Sequence, residues 1–220
     1  MKVLVIDVGG TNIKLLATGV KEPRKVLSSP TLTPEEMVQA VRNETGDWDY
    51  EAVSIGYPGP VRHGKPALEP FNLGSGWIGF DFAAALGHPV RILNDAAMQA
   101  LGSYEAGRML FLGLGTGLGS ALIVEKVIVA LELAHLPYRK GRTFEDYLGK
   151  RGLERLGRKK WQQHVEEVVK RLGDAFVIDT VVLGGGNVKK LQHLPAGVRL
   201  GDNTNAFLGG FRMWEDYVHA

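Results

Sequence analysis

The feature that most constrains this chain is an apolar strand that runs into bare glycine and turns straight back, and it occurs twice. KVLVIDV leads into Gly9, Gly10 and Thr11 and then into NIKLLA; MLFLGL leads into Gly115, Thr116 and Gly117 and then into LGSALIV. Apolar runs joined by so short a connection read as antiparallel hairpins. Each is followed by helical periodicity, so the second half echoes the first and the chain reads as α/β. Only the first hairpin carries an acid, Asp7, at its tip.

Between and after the hairpins the punctuation is clear. VLSS near 26–29 suggests a third strand. TPEEMVQAVRNETG has Thr33 as N-cap, Pro34 at the first helical position, acids in the first turn and Gly46 as a stop, which predicts a helix. EAVSIGY reads as a strand ending at Pro58-Gly59-Pro60. Residues 61–79 read as a structured loop or short hairpin. DFAAALG reads as a short helix, PVRIL as a strand, and NDAAMQALG as a helix capped by Asn94. Residues 144–172 read as glycine-punctuated helix, DTVVLGGG as a strand into a glycine turn, NVKKL as the opening of a helix, GVRLGD as a short strand and TNAFLGGFRMWEDYV as a final helix. No low-complexity linker separates the halves. The expected division is 1–100 and 101–220, with a boundary inside or just after the NDAAMQALG helix and a final helix that packs back on the first lobe.

Composition excludes several classes. With 220 residues, 45% of them hydrophobic, a core of useful size needs no staples. Zero cysteines rule out a disulfide framework or a thiolate metal site. A net charge of +2 does not argue for nucleic acid. No signal-peptide pattern opens the chain and no apolar run reaches spanning length, so a cytoplasmic location without a membrane partner is expected.

The glycine turns suggest anion chemistry. Successive backbone N–H groups at Gly9 and Gly10 form a cradle, Thr11 adds a hydroxyl and Lys14 a positive charge. Asp7 would repel a bare phosphate but not one carrying Mg²⁺, which takes one or two carboxylates together with waters and phosphate oxygens. Taken alone, DVGGTNIK is equally a plain turn with an incidental acid. LGLGTGLG is not a Walker A loop, since no Gly-Lys-Ser/Thr follows, and it lacks the dinucleotide spacing. Two such hairpins imply a ligand held between two lobes. Gly184–Gly186 form a third cluster between a strand and a helix start, suited to a phosphate or a flat ring but also to an ordinary turn. In RILNDAAMQA, Asp95 has the chemistry of a base that accepts a hydroxyl proton during phosphoryl transfer, with Asn94 as orienter; an Asx helix cap is the compatible alternative.

These stretches, DVGGTNIK, GYPGPV, FNLGSGW, LNDA, LGLGTGLG, ELAH, FEDY and VVLGGG, occur in the order in which the ROK family of sugar kinases carries them. The chain resembles that family, a branch of the actin-like ATPase (ribonuclease H-like) fold with two lobes and a cleft. The resemblance implies Asp95 as base toward a sugar 6-hydroxyl, and Asn72, Asn94, Glu132, His135 and Glu145 as ligands of sugar hydroxyls. It implies Gly9, Gly10, Thr11, Lys14, Gly115, Thr116 and Gly117 around the donor phosphates, Asp7 on Mg²⁺ directly or through water, and Gly184, Gly185 and Gly186 at a nucleotide. Many family members bind zinc through a histidine and a cysteine cluster; only His135 remains here, so no zinc site is expected. Lysine falls at Lys14 rather than directly after the threonine, and ELAHL stands in place of the usual Gly-Glu-x-Gly-His stretch, which is similar to the family's polyphosphate glucokinases. From Arg139 to Lys160 there are nine Lys/Arg against three acids, Glu145, Asp146 and Glu154, a field that would steer a polyanion.

The expected activity is therefore transfer from polyphosphate, ATP or both to glucose. Mannose or an N-acetylated amino sugar is the rival acceptor, and a non-catalytic nucleotide-binding regulator the rival class. No DNA-binding segment precedes the first glycine turn, which disfavours a repressor and a nucleic-acid partner. The resemblance leaves room for a homodimer.

Overall fold

The structure is a computed structural model that describes residues 1–202, 204–215 and 217–219. The first hairpin and the strand after it form an antiparallel meander of β1 (Val3–Val8), β2 (Asn12–Ala17) and β3 (Arg24–Leu27). Helix α1 (Pro34–Thr45) follows; Thr33 and Glu36 close a capping box at its start. Strands β4 (Ala52–Tyr57) and β7 (Val90–Asn94) then add in parallel beside β1. The small hairpin β5 (Val61–Arg62) and β6 (Lys65–Pro66) and helix α2 (Phe82–Leu86) lie between them in sequence. The sheet order is β3-β2-β1-β4-β7.

Helix α3 (Asp95–Ser103) leads into a second sheet built in the same way. The meander β8 (Arg108–Leu114), β9 (Leu118–Val124) and β10 (Val127–Leu131) is followed by hairpin β11 (Pro137–Arg139) and β12 (Arg142–Thr143), then α4 (Phe144–Leu148) and α5 (Lys150–Phe176). Strands β13 (Thr180–Gly184) and β14 (Val198–Leu200) add in parallel beside β8. Helix α6 (Asn205–Arg212) and strand β15 (Val218–His219) end the chain, giving the order β14-β13-β8-β9-β10-β15. Apart from β15, each half has three antiparallel strands with two parallel ones added beside the first, so the echo in sequence is a duplicated topology.

Strand periodicity decides what lies where. In β1 the odd positions Val3 and Val5 face the space between the sheets, where they join one core cluster with Ala97 and Leu101 of α3, Met109 and Phe111 of β8 and Phe207 of α6. The even positions Leu4, Ile6 and Val8 face α1 and α2. The outer face of the second sheet packs on α4 and α5 around buried Trp161. The layers therefore run α1/α2, sheet, α3/α6, sheet, α4/α5. Helices α3 and α6 cross at near-backbone contact: a Cβ on Gly209 would lie 1.8 Å from the Met98 carbonyl oxygen. Ser54 of β4 donates to the Gly210 carbonyl (2.6 Å), and the Trp214 indole donates to the Ser54 hydroxyl (2.9 Å). The last helix is thus fixed to the first sheet, and residue 100 lies within α3, in the middle layer shared by both halves.

Two expected helices differ. NVKKL forms only a 3-10 turn, Gly186–Lys190. Gly185 enters it at φ +83, Leu191 leaves it extended, and the Arg158 guanidinium holds the carbonyls of Lys190 and Leu191, which ends the turn. The final helix stops at Arg212, within the expected span TNAFLGGFRMWEDYV; Asp216 of that span lies outside the described residues.

Candidate active site

The candidate residues collect at the carboxyl ends of the parallel strands, the place where α/β sheets bind ligands. Asp7 is the penultimate residue of β1, Asn94 ends β7 and Asp95 follows it, Gly115–Gly117 follow β8, and Gly185 follows β13. Asp7 continues the inward row Val3, Val5, Asp7 and is 7% exposed. Lys14 stands directly opposite it across the antiparallel pair, so the two side chains share a face. Their ion pair, Nζ to Oδ2 at 3.0 Å, is therefore a product of the hairpin register.

Asp95 opens α3 on that same inner side. Its Oδ1 accepts from the Ala96 N–H at 2.7 Å. Burial pushes its carboxyl up to about 7; the charges of Asp7 and Glu132 add to this, while the Ala96 amide and Lys14 oppose it. Asp95 thus feels Asp7 and Lys14 from the first hairpin and Glu132 from the second half. Solvent still reaches it, since the residue is only partly buried. Asn94 is the cap: its Oδ1 accepts from Ala96 (3.0 Å) and Ala97 (3.3 Å), and its Nδ2 donates to the Gly59 carbonyl (3.1 Å). The cap leaves one amide hydrogen for a ligand.

Glu132 follows β10. Burial raises its carboxyl although the residue as a whole is exposed; His135 opposes the shift and Glu145 adds to it. His135 ends a 3-10 turn, Leu133–His135, and is exposed. Glu145 lies in the first turn of α4, and its Oε2 accepts from the Leu118 N–H at 3.2 Å. The same oxygen would lie 2.3 Å from a Cβ on Gly117, so only glycine lets this carboxylate rest on the second turn. Asn72 is exposed, and its Cβ would lie 3.2 Å from a Cβ on Gly10, which brings the FNLGSGW loop against the first turn.

The glycine cradles are smaller than the sequence suggests. Gly9 N–H donates to the Asn12 carbonyl (3.1 Å) and Gly115 N–H to the Gly117 carbonyl (3.1 Å), each closing its own turn. Among the described residues, the amides of Gly10, Thr11, Thr116 and Gly117 have no protein acceptor. Gly184 and Gly185 lead into a 3-10 turn that Gly186 opens, not into an α-helix, so the helix-terminus reading loses its dipole. Asn187 instead donates to the Gly115 carbonyl at 2.8 Å and ties this cluster to the second turn. No group of three or more His, Cys, Asp or Glu side chains among the described residues could hold a metal ion alone. Asp7 fits Mg²⁺, which a single carboxylate can bind together with phosphate oxygens and waters.

Three supporting residues escaped the sequence reading. Ser120 is buried; its hydroxyl donates to Leu131 O (2.8 Å) and accepts from Leu133 N–H (3.2 Å), fixing the backbone on both sides of Glu132. Glu69 accepts from the amides of Gly76 (3.2 Å) and Trp77 (3.1 Å) and fixes the loop that carries Asn72. Asn187 is the third. No local signal marks the first two, because their partners are set by tertiary structure. Two depressions of about 440 and 300 Å³ lie where α6 and the residues after it meet β1, β2 and the turn after β2, and contain none of these residues.

A fold of two like sheets with charged groups at their carboxyl ends is that of the actin-like ATPases, and solved structures agree. The inorganic polyphosphate/ATP-glucomannokinase from Arthrobacter sp. strain KM superposes with a TM-score of 0.80 at 24% identity, covering 95% of this chain and 96% of that one. A ROK family glucokinase from Streptomyces griseus, solved with glucose and AMPPNP, gives 0.73 at 18% identity, covering 97% and 99%. The ROK family model matches residues 3–130, and the chain belongs to that family. Among curated relatives, a polyphosphate glucokinase of Mycobacterium tuberculosis is 28% identical over 207 residues, covering 84% of this chain and 77% of the relative. The bifunctional enzyme NanE/NanK of Brucella melitensis is 32% identical over 139 residues, covering 56% and 26%. No helix of the described residues is long and apolar enough to cross a membrane.

Proposed function

We propose that this ROK protein is a sugar kinase that transfers a phosphoryl group from polyphosphate, ATP or both to the 6-hydroxyl of glucose. The observation that carries the proposal is the electrostatic grouping of Asp95 with Asp7 and Lys14 of the first hairpin and Glu132 of the second half. Asp95 accepts the hydroxyl proton as the acceptor oxygen attacks, in a transition state that asks mainly for position and charge stabilisation. A carboxyl held near 7 is matched to that task at neutral pH. Glu132, Glu145, His135, Asn72 and the remaining Asn94 amide hydrogen hold the other hydroxyls. The free amides of Gly10, Thr11, Thr116 and Gly117, with Lys14, bind the donor phosphates. Mg²⁺ bound with the donor at Asp7 would supply neutralising charge to the phosphoryl oxygens. The two sheets with their helices act as lobes divided near residue 100, and excluding water between them favours sugar over solvent as acceptor.

The basic stretch supports a polyphosphate donor, with fewer cations than its sequence count. Arg139 is held by Glu167 at 2.7 Å, and Lys150 lies 3.8 Å from Glu154. Arg142, Arg151, Lys159 and Lys160 have no carboxylate within 4.0 Å among the described residues and are exposed. The relative from Mycobacterium tuberculosis is a polyphosphate glucokinase, in line with that donor. Mannose or an N-acetylated amino sugar is the second reading for the acceptor; the likeness to a glucomannokinase favours mannose. The test offers glucose, mannose or N-acetylmannosamine with ATP or polyphosphate, with and without Mg²⁺, and measures sugar phosphate. Glucose 6-phosphate formed in the presence of Mg²⁺ is the expected product; absence of sugar-dependent transfer with every pair refutes the proposal.

A further inference from the structure

Phe71 is 93% exposed, the most exposed large apolar side chain among the described residues. It does not sit on a loose segment. Trp77 of the same loop is fully buried, Glu69 holds two of its amides, and the Tyr57 hydroxyl donates to the Leu68 carbonyl at 2.7 Å. Pro70 and Leu73 are buried on either side, so Phe71 and Asn72 are the protruding tip of a turn with fixed feet. That tip stands against the first glycine turn, where Asn72 and Gly10 meet. The fold thus holds a whole aromatic ring in water at the rim of the site, where tertiary packing gives it no partner. Exposed aromatic surface held rigidly beside polar ligands is suited to an amphipathic partner. A pyranose is one: hydroxyls around its edge and an apolar C–H face.

We propose that Phe71 caps the bound acceptor, packing on the C–H face of the pyranose whose hydroxyls meet Asn72 and Asp95, and so keeps water from the phosphoryl group. This rests on the sugar-kinase reading above. Phe71 is a positioning residue for the acceptor, and its removal acts on sugar binding and on the partition between transfer and hydrolysis, not on donor binding.

The experiment compares wild type, Phe71→Ala and Phe71→Tyr by calorimetric titration with glucose, mannose and N-acetylmannosamine in the absence of donor, by donor titration, and by the ratio of free phosphate to sugar phosphate formed in turnover. Phe71→Ala is expected to weaken sugar binding about ten-fold or more, raise the hydrolysis ratio and leave donor affinity and melting temperature unchanged; Phe71→Tyr restores both sugar affinity and coupling. Unchanged sugar affinity in Phe71→Ala overturns the inference. So does a fall in melting temperature that accounts for the loss, or a change in solution mass, which would assign the ring to a contact between chains. If wild type binds glucose and Phe71→Ala is indifferent, only the capping role falls. If wild type binds neither glucose, mannose nor N-acetylmannosamine, the sugar-kinase reading falls and takes the capping role with it.

Discussion

Replacing Asp95 with Asn should make this protein more stable and nearly inactive. The carboxyl of Asp95 is raised from 3.8 to about 7 by burial and by the charges of Asp7 and Glu132. Keeping it ionised costs the folded state about 1.4 kcal/mol for each pH unit of that displacement, or about 4 kcal/mol in all. The sign follows from which state holds the proton. Between pH 3.8 and about 7 the unfolded chain has lost it and the folded chain keeps it, so stability falls as pH rises; above about 7 the loss is complete and constant. Asn keeps the oxygen that accepts from Ala96 N–H and carries no charge. The advantage of Asp95→Asn should therefore be about 1.5 kcal/mol at pH 5 and about 4 kcal/mol at pH 8, the latter roughly 10 °C in melting temperature for a chain of this length. Thermal and denaturant unfolding of both proteins across that range measures it. Turnover should fall by orders of magnitude with sugar affinity little changed. A variant no more stable than wild type at pH 8, or equally favoured at pH 5 and pH 8, would show that Asp95 is not under this electrostatic load.

Other outcomes follow from the same geometry. In wild type, kcat/KM for the sugar should rise with pH about a midpoint near 7, as the free protein's Asp95 ionises; a flat profile from pH 6 to 8 removes it as the base. Ser120→Ala deletes both hydrogen bonds that fix the backbone around Glu132, and should lower stability by about 1–3 kcal/mol and weaken sugar binding in calorimetry. Gly209→Ala drives a methyl into the Met98 carbonyl and should lower the unfolding free energy by about 1–3 kcal/mol or more, read as a lower denaturant midpoint. The KM for long-chain polyphosphate should rise steeply between about 50 and 200 mM salt, with a shallower rise after Arg151→Gln with Lys159→Gln; salt-independent kinetics would detach the basic stretch from the donor.

Much of the fold is legible because its cues are local. Thr33, Pro34 and Gly46 bracket α1, and the capping box with Glu36 is a four-residue pattern. The two hairpins follow from apolar alternation and glycine turns, and the hairpin register makes Asp7 and Lys14 a pair. What was not legible depends on partners far along the chain. NVKKL looks helical by itself; Arg158, about 30 residues earlier in sequence, holds the carbonyls where the turn ends. Gly9 and Gly115 look like anion donors until their turns close and engage their amides. The close crossing of α3 and α6 at glycine, which joins both sheets through one core, likewise depends on residues far apart in the chain.

The duplicated topology explains why there is one acid and not two. Asp7 is the inward residue just before the first glycine turn; the residue two before Gly115 at the end of β8 is Gly113. Asp7 pairs with Gly56 on β4, and Gly113 with Gly184 on β13, so the two places match in register. Both follow inward core residues, Val3 and Val5 in one sheet and Met109 and Phe111 in the other. A carboxylate at 113 would add another charge to the side on which burial, with the charges of Asp7 and Glu132, already holds Asp95 near 7. Glycine there leaves the second turn without an acid of its own, save for Glu145, which is turned onto the Leu118 amide. The halves share a backbone plan; free amides remain in both turns, and the difference between Asp7 and Gly113 leaves a carboxylate beside the first and none at the matching place beside the second.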